Sequence, residues 1–373
     1  FDQIKTSIKD YLRANSDFTG FDFEGSNFSV LIDTLAYNTY ITAFNSNMVV
    51  NESFLDSATL RENVVSLARN IGYVPRSRTA ATAEVSFDLD FGTVDPGTAT
   101  ATLEAGLVCT GIAQDTSYVF STSENISSPI IKNPNTERYE SSFNNINIKE
   151  GIFLNKTFIV DASLDQKFLL DNIGIDSSTI KVYVNGPSDM SPSGALGNEY
   201  LLVENILNVT SDSEIFLIQE VQDEKYELLF GDGKIGKKLE TDSVITVQYI
   251  VTDGKNGNGI GGTESKGTFS FAGKIVNFNT LTSQSTSLTL SSNVSVTTNQ
   301  ASINGSEIEE VSSIKYYAPR IYSSQYRAVT PRDYEAIIQK IYPDTESVAV
   351  VGGEEMDPPE FGNVYISIKP KNG

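Results

Sequence analysis

The sequence predicts an α+β multidomain fold with an N-terminal helical segment, a central antiparallel β-rich region and a small C-terminal α+β unit. Three successive patterns of apolar spacing predict this order. Apolar residues recur every three or four positions up to residue 79, alternate in steps of two from residue 80 to about residue 280, and return to mixed patterns from residue 306. The length of 373 residues is enough for two or three domains.

Residues 1–79 are expected to form three helices and to act as a bundle-forming segment. The first helix, IKTSIKDYLRAN, is short and amphipathic, and the second runs from Ser26 to about residue 50. The second helix carries one apolar stripe at Phe28, Leu31 and Leu35 and another at Tyr37, Ile41, Phe44 and Met48. Because a helix that is apolar on two faces packs on two sides, we expect this helix to be covered on both.

The third helix, DSATLRENVVSLARNIGYVP, has the clearest start and stop signals. Asp56 or Ser57 is placed to cap its first turn. Gly72 is the expected left-handed residue after its last turn, and Pro75 follows. Its apolar stripe consists of Leu60, Val64, Leu67 and Ile71.

Residues 80–280 are expected to form one or two antiparallel β-rich domains. In AEVSFDLDF, apolar and polar residues alternate from Val85 to Leu89, and similar runs recur between Gly, Asn, Asp and Pro residues. The polar segment 133–150 is where a boundary between two such domains is expected. Residues 281–305 are rich in Ser, Thr and Asn, which is typical of a thin strand or a linker.

Residues 306–373 are expected to form an α+β unit that is cut short at its C-terminal end. A first helix is expected to end at Pro319, and a second to begin with a capping box of Thr330 and Asp333 around Pro331. The buried face of the second helix is expected at Tyr334, Ile337, Ile338 and Ile341. Two strands, ESVAVVGG and NVYISIKP, then flank an acidic loop. Because the chain begins without Met and stops just after a strand-like run, we expect it to be a piece of a longer polypeptide.

The composition excludes several classes of catalytic and binding site. The chain has no histidine, which rules out Ser-His-Asp and Cys-His catalysis and His-ligated metal sites. Its single cysteine, Cys109, lies in an apolar stretch, so we expect a buried thiol and no disulfide within the chain. The net charge of −21 disfavours nucleic acid and anionic membranes as partners, and favours neutral or basic proteins. No apolar run is long enough to span a membrane.

The stretch FGDGKIGKK, residues 230–238, nearly matches a phosphate-binding loop. Such a loop joins a strand to a helix whose N-terminus faces the phosphates. Here a strand-like run, SVITVQYIV, follows the stretch, and Lys238 stands where the motif requires Ser or Thr. We therefore expect an Asp-Gly β-turn and no nucleotide or other cofactor.

Two other patterns suggest binding or catalytic sites and fail for different reasons. The stretch DGKNGNGIGG, residues 253–262, lacks the ligand spacing of an EF-hand loop, so we expect a plain Gly/Asn loop and no metal site. Carboxylates are plentiful, and a glycan hydrolase needs two of them across a cleft. The acidic pairs Glu309–Glu310 and Glu354–Glu355 are more typical of a solvated surface.

Three separated segments resemble the baseplate wedge subunit of T-even-type contractile-tailed phages, within the wider baseplate J-like group. Residues 51–87 resemble the family's helix, its Gly-Tyr-x-Pro exit and the entry into the first strand. Residues 214–259 contain a Phe-Gly-Asp-Gly turn between paired strands, followed by a Gly/Asn loop. Residues 306–338 resemble the family's Ala-Pro, Arg-Ala-Val-Thr and Asp-Tyr run. The three segments span most of the chain in the family's order.

The resemblance implies a structural protein of the virion tail baseplate, assembled in the host cytoplasm, with no enzymatic activity and no cofactor. It implies that the helical segment joins a long partner wedge protein through a helical bundle. It also implies contacts with other copies of the chain, which link neighbouring wedges into a ring around the hub, and contacts with other baseplate and hub proteins. No nucleic acid, membrane or small-molecule substrate is expected.

Two sets of residues follow as candidates for this role. The helical interface candidates are Phe28, Leu31, Leu35, Ile41, Phe44, Leu60, Val64, Leu67 and Ile71. The structural residues carried over from the family's motifs are Phe230, Gly231, Asp232, Gly233, Pro319, Arg327, Thr330, Asp333 and Tyr334. Two alternatives stay open on the sequence, namely a β-rich adhesin or tail-fibre-like binding module and a two-carboxylate glycan hydrolase. An adhesin of this type has internal repeats, and none is found at a fixed period.

Overall fold

The computed structural model confirms the α+β multidomain fold. It describes residues 1–14, 22–23, 25, 27–113, 116–161, 163, 166–187, 196–203, 209–262, 267–279, 284–325, 327–342 and 345–370. The helices are α1 (Asp2–Ala14), α2 (Phe28–Glu52), α3 (Arg61–Asn70), α4 (Val311–Ser324) and α5 (Pro331–Ile341). The expected end of the first helix at residue 15 and start of the second at residue 26 lie outside the described residues.

The first β module consists of two sheets around one core. Its larger sheet has the order β15-β3-β4-β7-β1-β18, with β6 beside β7, and its smaller sheet has the order β17-β16-β2-β5. The strands of the larger sheet are β1 (Thr82–Gly92), β3 (Gly106–Ala113), β4 (Thr116–Thr122), β6 (Ile131–Lys132), β7 (Tyr139–Glu150), β15 (Ser270–Phe271) and β18 (Val296–Ile303). The strands of the smaller sheet are β2 (Thr100–Leu103), β5 (Ile126–Pro129), β16 (Ile275–Asn279) and β17 (Gln284–Ser287). Phe87 stacks on Phe143 in the core, with ring centroids 5.2 Å apart.

The second β module is one sheet with the order β8-β14-β10-β11-β12-β13-β9. Its strands are β8 (Ile152–Ile159), β9 (Phe168–Leu170), β10 (Ile175–Asn185), β11 (Asn198–Leu202), β12 (Ile215–Glu220), β13 (Tyr226–Phe230) and β14 (Val244–Val251). The pairings are antiparallel except for β11 with β12. Its core contains Tyr200, Phe216, Tyr226 and Tyr249.

The passage between the two β modules lies at the end of the polar segment 133–150. Most of that segment is β7, whose polar residues alternate with buried Phe143, Ile146 and Ile148. The chain crosses to the second module at Gly151. In the Ser/Thr/Asn-rich stretch, Leu288, Leu290 and Val294 pack against the core of the first module, and β18 begins at Val296.

The helices α3, α4 and α5 form a third core, which we call the helical base. Val64, Val65 and Ala68 of α3 pack with Ile314, Ala318 and Ile321 of α4 and with Ala336 of α5. The expected end of the first C-terminal helix at Pro319 is wrong, because α4 continues to Ser324. Proline removes one backbone donor, and the buried residues Ala318 and Ile321 on either side hold the helix against α3.

The C-terminal unit places α5 beside a hairpin of β19 (Thr345–Gly352) and β20 (Val364–Pro370). Its capping box is confirmed: Thr330 Oγ1 accepts a hydrogen bond from the Asp333 backbone N–H, and the Asp333 carboxylate accepts one from the Thr330 N–H. The expected buried face of α5 is wrong at Ile341, which is 76% exposed, and the buried residue of the helix is Ala336. Ala336 packs against α3 and α4 in the helical base, and the last turn of α5 with Ile341 lies outside this contact.

Candidate assembly interface

The helices α1 and α2 form an arm at the N-terminus. α1 lies along the first half of α2, where the Lys5 ammonium pairs with the Asp33 carboxylate. An apolar groove of about 530 Å³ lies between the two helices, lined by residues such as Ile4, Ile8 and Leu31. Because α1 has 13 residues and α2 has 25, α1 covers only about half the length of α2.

The second half of α2 exposes an apolar stripe. Ile32 and Ala36 are the buried residues of this helix, and both lie in its first half. Its large exposed apolar residues are Val30, Leu31, Leu35, Tyr37, Tyr40, Phe44, Met48, Val49 and Val50. Phe44 is 55% exposed and Leu31 is 61% exposed. α1 therefore leaves most of both stripes of α2 exposed in the free chain, and the expectation that α2 is covered on both faces stays a prediction about its packing in an assembly.

The junction between α2 and α3 depends on Glu52, the last residue of α2. Glu52 Oε1 accepts hydrogen bonds from the Thr59 N–H at 2.8 Å and the Thr59 hydroxyl at 2.6 Å. Its Oε2 accepts bonds from the Leu60 N–H at 3.3 Å and the Asn63 side-chain amide at 2.8 Å. These donors lower the pKa of Glu52 to about 2, with the Thr59 hydroxyl as the largest cause. The carboxylate therefore ties the arm to the start of the helical base.

The expected cap of α3 at Asp56 or Ser57 is wrong. α3 begins at Arg61, its N-cap residue is Leu60, and no side chain of its own caps it. The backbone N–H groups before this helix donate instead to the carboxylate of Glu52, which lies seven residues before Thr59. The expected end is correct, since Gly72 follows the last turn with a left-handed φ of 78°.

The predicted stripe on α3 lies mainly inside the chain. Val64 is fully buried in the helical base, while Leu67 and Ile71 are half-buried against it. Leu60 is 51% exposed. Val64 thus supports the fold of this chain, and the residues of the stripe that a partner can reach are Leu60 and, in part, its half-buried neighbours.

A buried ion pair fixes the helical base to the second β module. Arg61 donates two parallel hydrogen bonds to the Glu220 carboxylate, with Nε–Oε1 at 2.9 Å and Nη2–Oε2 at 3.0 Å. The Arg61 guanidinium also donates to the Glu309 carbonyl. Burial raises the pKa of Glu220, whose side chain is 1% exposed, and the contact with Arg61 offsets part of that rise. The pair sets the orientation of α3, and hence of the attached arm, relative to the β modules.

A cleft of about 1060 Å³ lies where the helical base, β12 and β19 meet. Glu309, one of the acids considered for a glycan hydrolase, lies in its wall and is 6% exposed. Its carboxylate accepts hydrogen bonds from the Tyr73 hydroxyl at 2.7 Å, the Arg76 N–H at 3.0 Å and the Ser313 hydroxyl at 2.7 Å. Three such bonds satisfy the carboxylate and make it a structural acceptor.

The Phe-Gly-Asp-Gly stretch is a turn that the Asp232 side chain closes. Asp232 Oδ1 accepts hydrogen bonds from the backbone N–H groups of Lys234 and Ile235, both at 2.8 Å, which lower its pKa. Gly233 has a left-handed φ of 88°, and a Cβ on Gly231 would lie 2.2 Å from the Gly236 carbonyl carbon. Phe230 packs against the core of the second module. No helix follows the turn, so a phosphate-binding geometry is absent.

The strands on either side of this turn do not pair with each other, so the expected turn between paired strands is wrong. β13 pairs with β12 and β9, whereas β14 pairs with β10 and β8. Three strands therefore separate β13 from β14 in the sheet. Alternation of apolar and polar residues in β13 and β14 is the same whether the two strands pair with each other or with other strands. The pattern therefore does not indicate which strands are neighbours.

The remaining motif residues lie around α4 and α5. Pro319 lies inside α4, and Tyr334 is half-buried on α5. Arg327 is exposed in the connection between the two helices, where its guanidinium donates a 2.9 Å hydrogen bond to the Gln325 side chain. These residues shape a helix–turn–helix unit and do not converge on one pocket with the Phe-Gly-Asp-Gly turn.

Neither a metal site nor a membrane-spanning helix is found within the described ranges of the chain. Among the residues that the structure describes, no group of three or more Cys, Asp or Glu is arranged to hold a metal ion. Burial raises the pKa of the Cys109 thiol to about 12, as expected for an inert buried cysteine. In the described part of the chain, no helix has the length and apolarity needed to cross a membrane.

The two ends of the chain match family models of one kind of protein. Residues 1–73 match the helical domain of baseplate wedge protein gp6-like, and residues 330–373 match C-terminal domain I of baseplate structural protein gp6. The similarity is to gp6-like baseplate wedge proteins. The first match contains the arm and α3, and the second contains α5 and the hairpin.

A known protein and a solved structure are similar over most of the chain. Baseplate wedge protein gp6 of Enterobacteria phage T4 is 27% identical over 397 residues, which cover all of this chain and 54% of that protein. The chain thus spans about half the length of its relative. The anti-feeding prophage baseplate, solved by cryo-electron microscopy, aligns with 95% of this chain and 66% of its own at 13% identity. Its TM-score of 0.28 is too low to carry an argument about fold.

Sequence reasoning missed the residues that join the parts of the chain. Glu52 has no capping signature, because its partners lie seven to eleven residues later. Arg61 and Glu220 are 159 residues apart and become neighbours only when the helical base meets the second module. An isolated arginine followed by an acid does not mark such a pair.

Proposed function

We propose that this protein is a structural baseplate wedge protein of a contractile tail. It joins a long partner wedge protein through a helical bundle and links neighbouring wedges into a ring around the hub. Its place is the virion tail baseplate, assembled in the host cytoplasm. Membership of the wider baseplate J-like group is part of the proposal and rests on the resemblance of the three segments described above.

The observation that carries the proposal is the uncovered apolar stripe of α2. A single long helix with Tyr37, Tyr40 and Phe44 exposed on one side is not stable in water by its own propensity, because most helical stability comes from packing of an apolar face. The gp6-like helical domain match covers this same arm. A bundle with helices of other chains supplies the packing that the stripe lacks.

The proposal includes the absence of enzymatic activity and of a cofactor. Glu309, an acid in the wall of the large cleft, is held by three protein donors, and the chain has no histidine. The partners proposed are other copies of the chain and other baseplate and hub proteins. No nucleic acid, membrane or small-molecule substrate is included, consistent with a net charge of −21.

Isolation of the tagged chain from its native source, followed by mass spectrometry, tests this function. The proposal predicts recovery with tail and baseplate proteins in amounts that stay fixed through a second purification step. Recovery of the chain alone, or with cell-wall fragments, would contradict it and would favour the adhesin and hydrolase alternatives.

A further inference from the structure

The carboxyl group of Glu150 lies at the joint between the two β modules. The chain leaves the first module at Gly151, directly after Glu150, and returns to it after β14 through residues 252–260. The two crossings touch: a Cβ on Gly151 would lie 2.3 Å from the Val251 carbonyl oxygen. Glu150 is 2% exposed. It therefore has almost no access to water where the outgoing and returning segments meet.

The hydrogen bonds of Glu150 join these two segments. Its Oε2 accepts from the Thr252 hydroxyl and from the Asp253 N–H at 3.1 Å. Thr252 Oγ1 accepts in turn from the Gly254 N–H at 2.9 Å. A Cβ on Gly257 would lie 2.6 Å from Glu150 Cγ, so the returning segment packs directly on the side chain. Opening of the joint breaks these contacts together.

The charges around Glu150 do not compensate an ionised carboxylate. Asp253 on the returning segment is the charged neighbour that acts on it, and it repels a negative charge. Lys149 on the same strand is engaged with Asp176, at 3.6 Å, and Lys255 lies in the wall of the neighbouring cleft. The adjoining residues Ala81 of the first module and Phe120 of β4 are uncharged. No ion pair to Glu150 is found among the described residues.

We propose that Glu150 is a proton-dependent joint, in which the neutral carboxyl group holds the two β modules together and its ionisation loosens them. Burial, as the largest cause, raises the pKa of Glu150 to about 7, and the charge of Asp253 adds to the rise, while the hydrogen bonds from the Thr252 hydroxyl and the Asp253 N–H offset part of it. In an open joint, water returns the pKa toward its ordinary value of 4.5. The closed joint is thus fully stabilised below pH 4.5, and this stabilisation is lost as the pH rises through about 7.

Hydrogen exchange of the Asp253 amide, which donates to Glu150, measures the opening. After correction for intrinsic exchange, the wild-type protection of residues 250–254 is expected to fall roughly thirtyfold between about pH 5.5 and about pH 8. Glu150→Gln keeps an acceptor oxygen and cannot ionise, so its protection is expected to be independent of pH. In Asp253→Asn, which removes the repelling charge, the loss of protection is expected to be complete at a lower pH.

The control is Glu124→Gln, which removes an exposed carboxylate that pairs with Lys181 across the same two modules. It is expected to retain the wild-type pH dependence. Equal pH dependence in wild type and Glu150→Gln, or none in wild type, would overturn the proposal. If Glu150→Gln does not fold, Asp253→Asn is decisive: its protection must fall less between about pH 5.5 and about pH 8 than that of the wild type, and an equal fall would overturn the proposal.

Discussion

Replacement of Phe44 by aspartate tests whether the stripe on α2 is a docking surface. Phe44 is 55% exposed and lies in the half of α2 that α1 does not cover. Aspartate at an exposed helical position changes the free energy of unfolding by no more than about 0.5 kcal/mol. We therefore expect the isolated variant to fold like the wild type and to fail in assembly.

The size of the expected effect follows from the exposed area. Full burial of a phenylalanine side chain is worth about 1.5–3 kcal/mol. Since about half of Phe44 is still exposed in the free chain, docking gains about 0.8–1.6 kcal/mol from it. Phe44→Ala is thus expected to weaken docking about tenfold. Phe44→Asp also buries a charge, which adds at least about 2 kcal/mol and brings the loss beyond a hundredfold.

The assay is the fraction of tagged protein that sediments with tails when each variant replaces the native chain. Thr42→Asp is the matched control: it adds the same charge to the same helix two residues away, or roughly 200° around it, where the neighbours within one turn are Asn38, Thr39, Asn45 and Ser46. Wild-type and Thr42→Asp proteins are expected in the tail fraction, and Phe44→Asp is expected in the free pool. Equal incorporation of the two aspartate variants would refute the assignment of the stripe.

Four further predictions concern the joints of the chain. Val64→Ala removes fully buried methyl groups and is expected to lower the free energy of unfolding in urea by about 2 kcal/mol. The same change at an exposed valine of α2 is expected to lower it by less than about 0.5 kcal/mol. Equal losses would contradict the placement of Val64 in the core. Arg61→Met leaves Glu220 buried without its partner and is expected to lower the free energy of unfolding by about 3–5 kcal/mol. Addition of Glu220→Leu is expected to restore much of this loss in the double variant. Additive losses from the two substitutions would contradict the pairing of Arg61 with Glu220. The pKa of Glu52 is lowered to about 2, so the stabilisation that its carboxylate gives to the start of α3 is complete above pH 4.5 and is lost as the pH falls toward 2. Amide hydrogen exchange at the start of α3 should therefore become faster in acid in the wild type, and should not respond to acid in Glu52→Gln. Equal acid sensitivity in both proteins would be inconsistent with this role. Asp232→Ala removes the acceptor of two turn amides and is expected to lower the melting temperature, and any loss of nucleotide binding measured by calorimetry would contradict the turn assignment.

Local patterns in the sequence were sufficient for the elements whose signals are local. The capping box of Thr330 and Asp333 and the left-handed Gly72 depend on residues within one turn, and both were predicted correctly. The end of α4 was mispredicted because packing of Ala318 and Ile321 outweighs the local cost of Pro319.

Contacts between distant parts of the chain could not be predicted in this way. The pair of Arg61 and Glu220 and the separation of β13 from β14 depend on how the modules and strands are arranged, and alternating apolar residues do not encode that arrangement. The apolar stripe of α2 was visible in the sequence. Its exposure was not, because burial in the same chain and burial against a partner produce the same pattern.

We propose that the arm docks against other proteins of the tail through the exposed side of α2. A photo-crosslinking amino acid placed at position 44, and at position 42 as its control, tests this most directly in purified native tails. Docking through this side is expected to give adducts from position 44 to another tail protein or to a second copy, and few from position 42. Adducts from neither position, or equally from both, would contradict it.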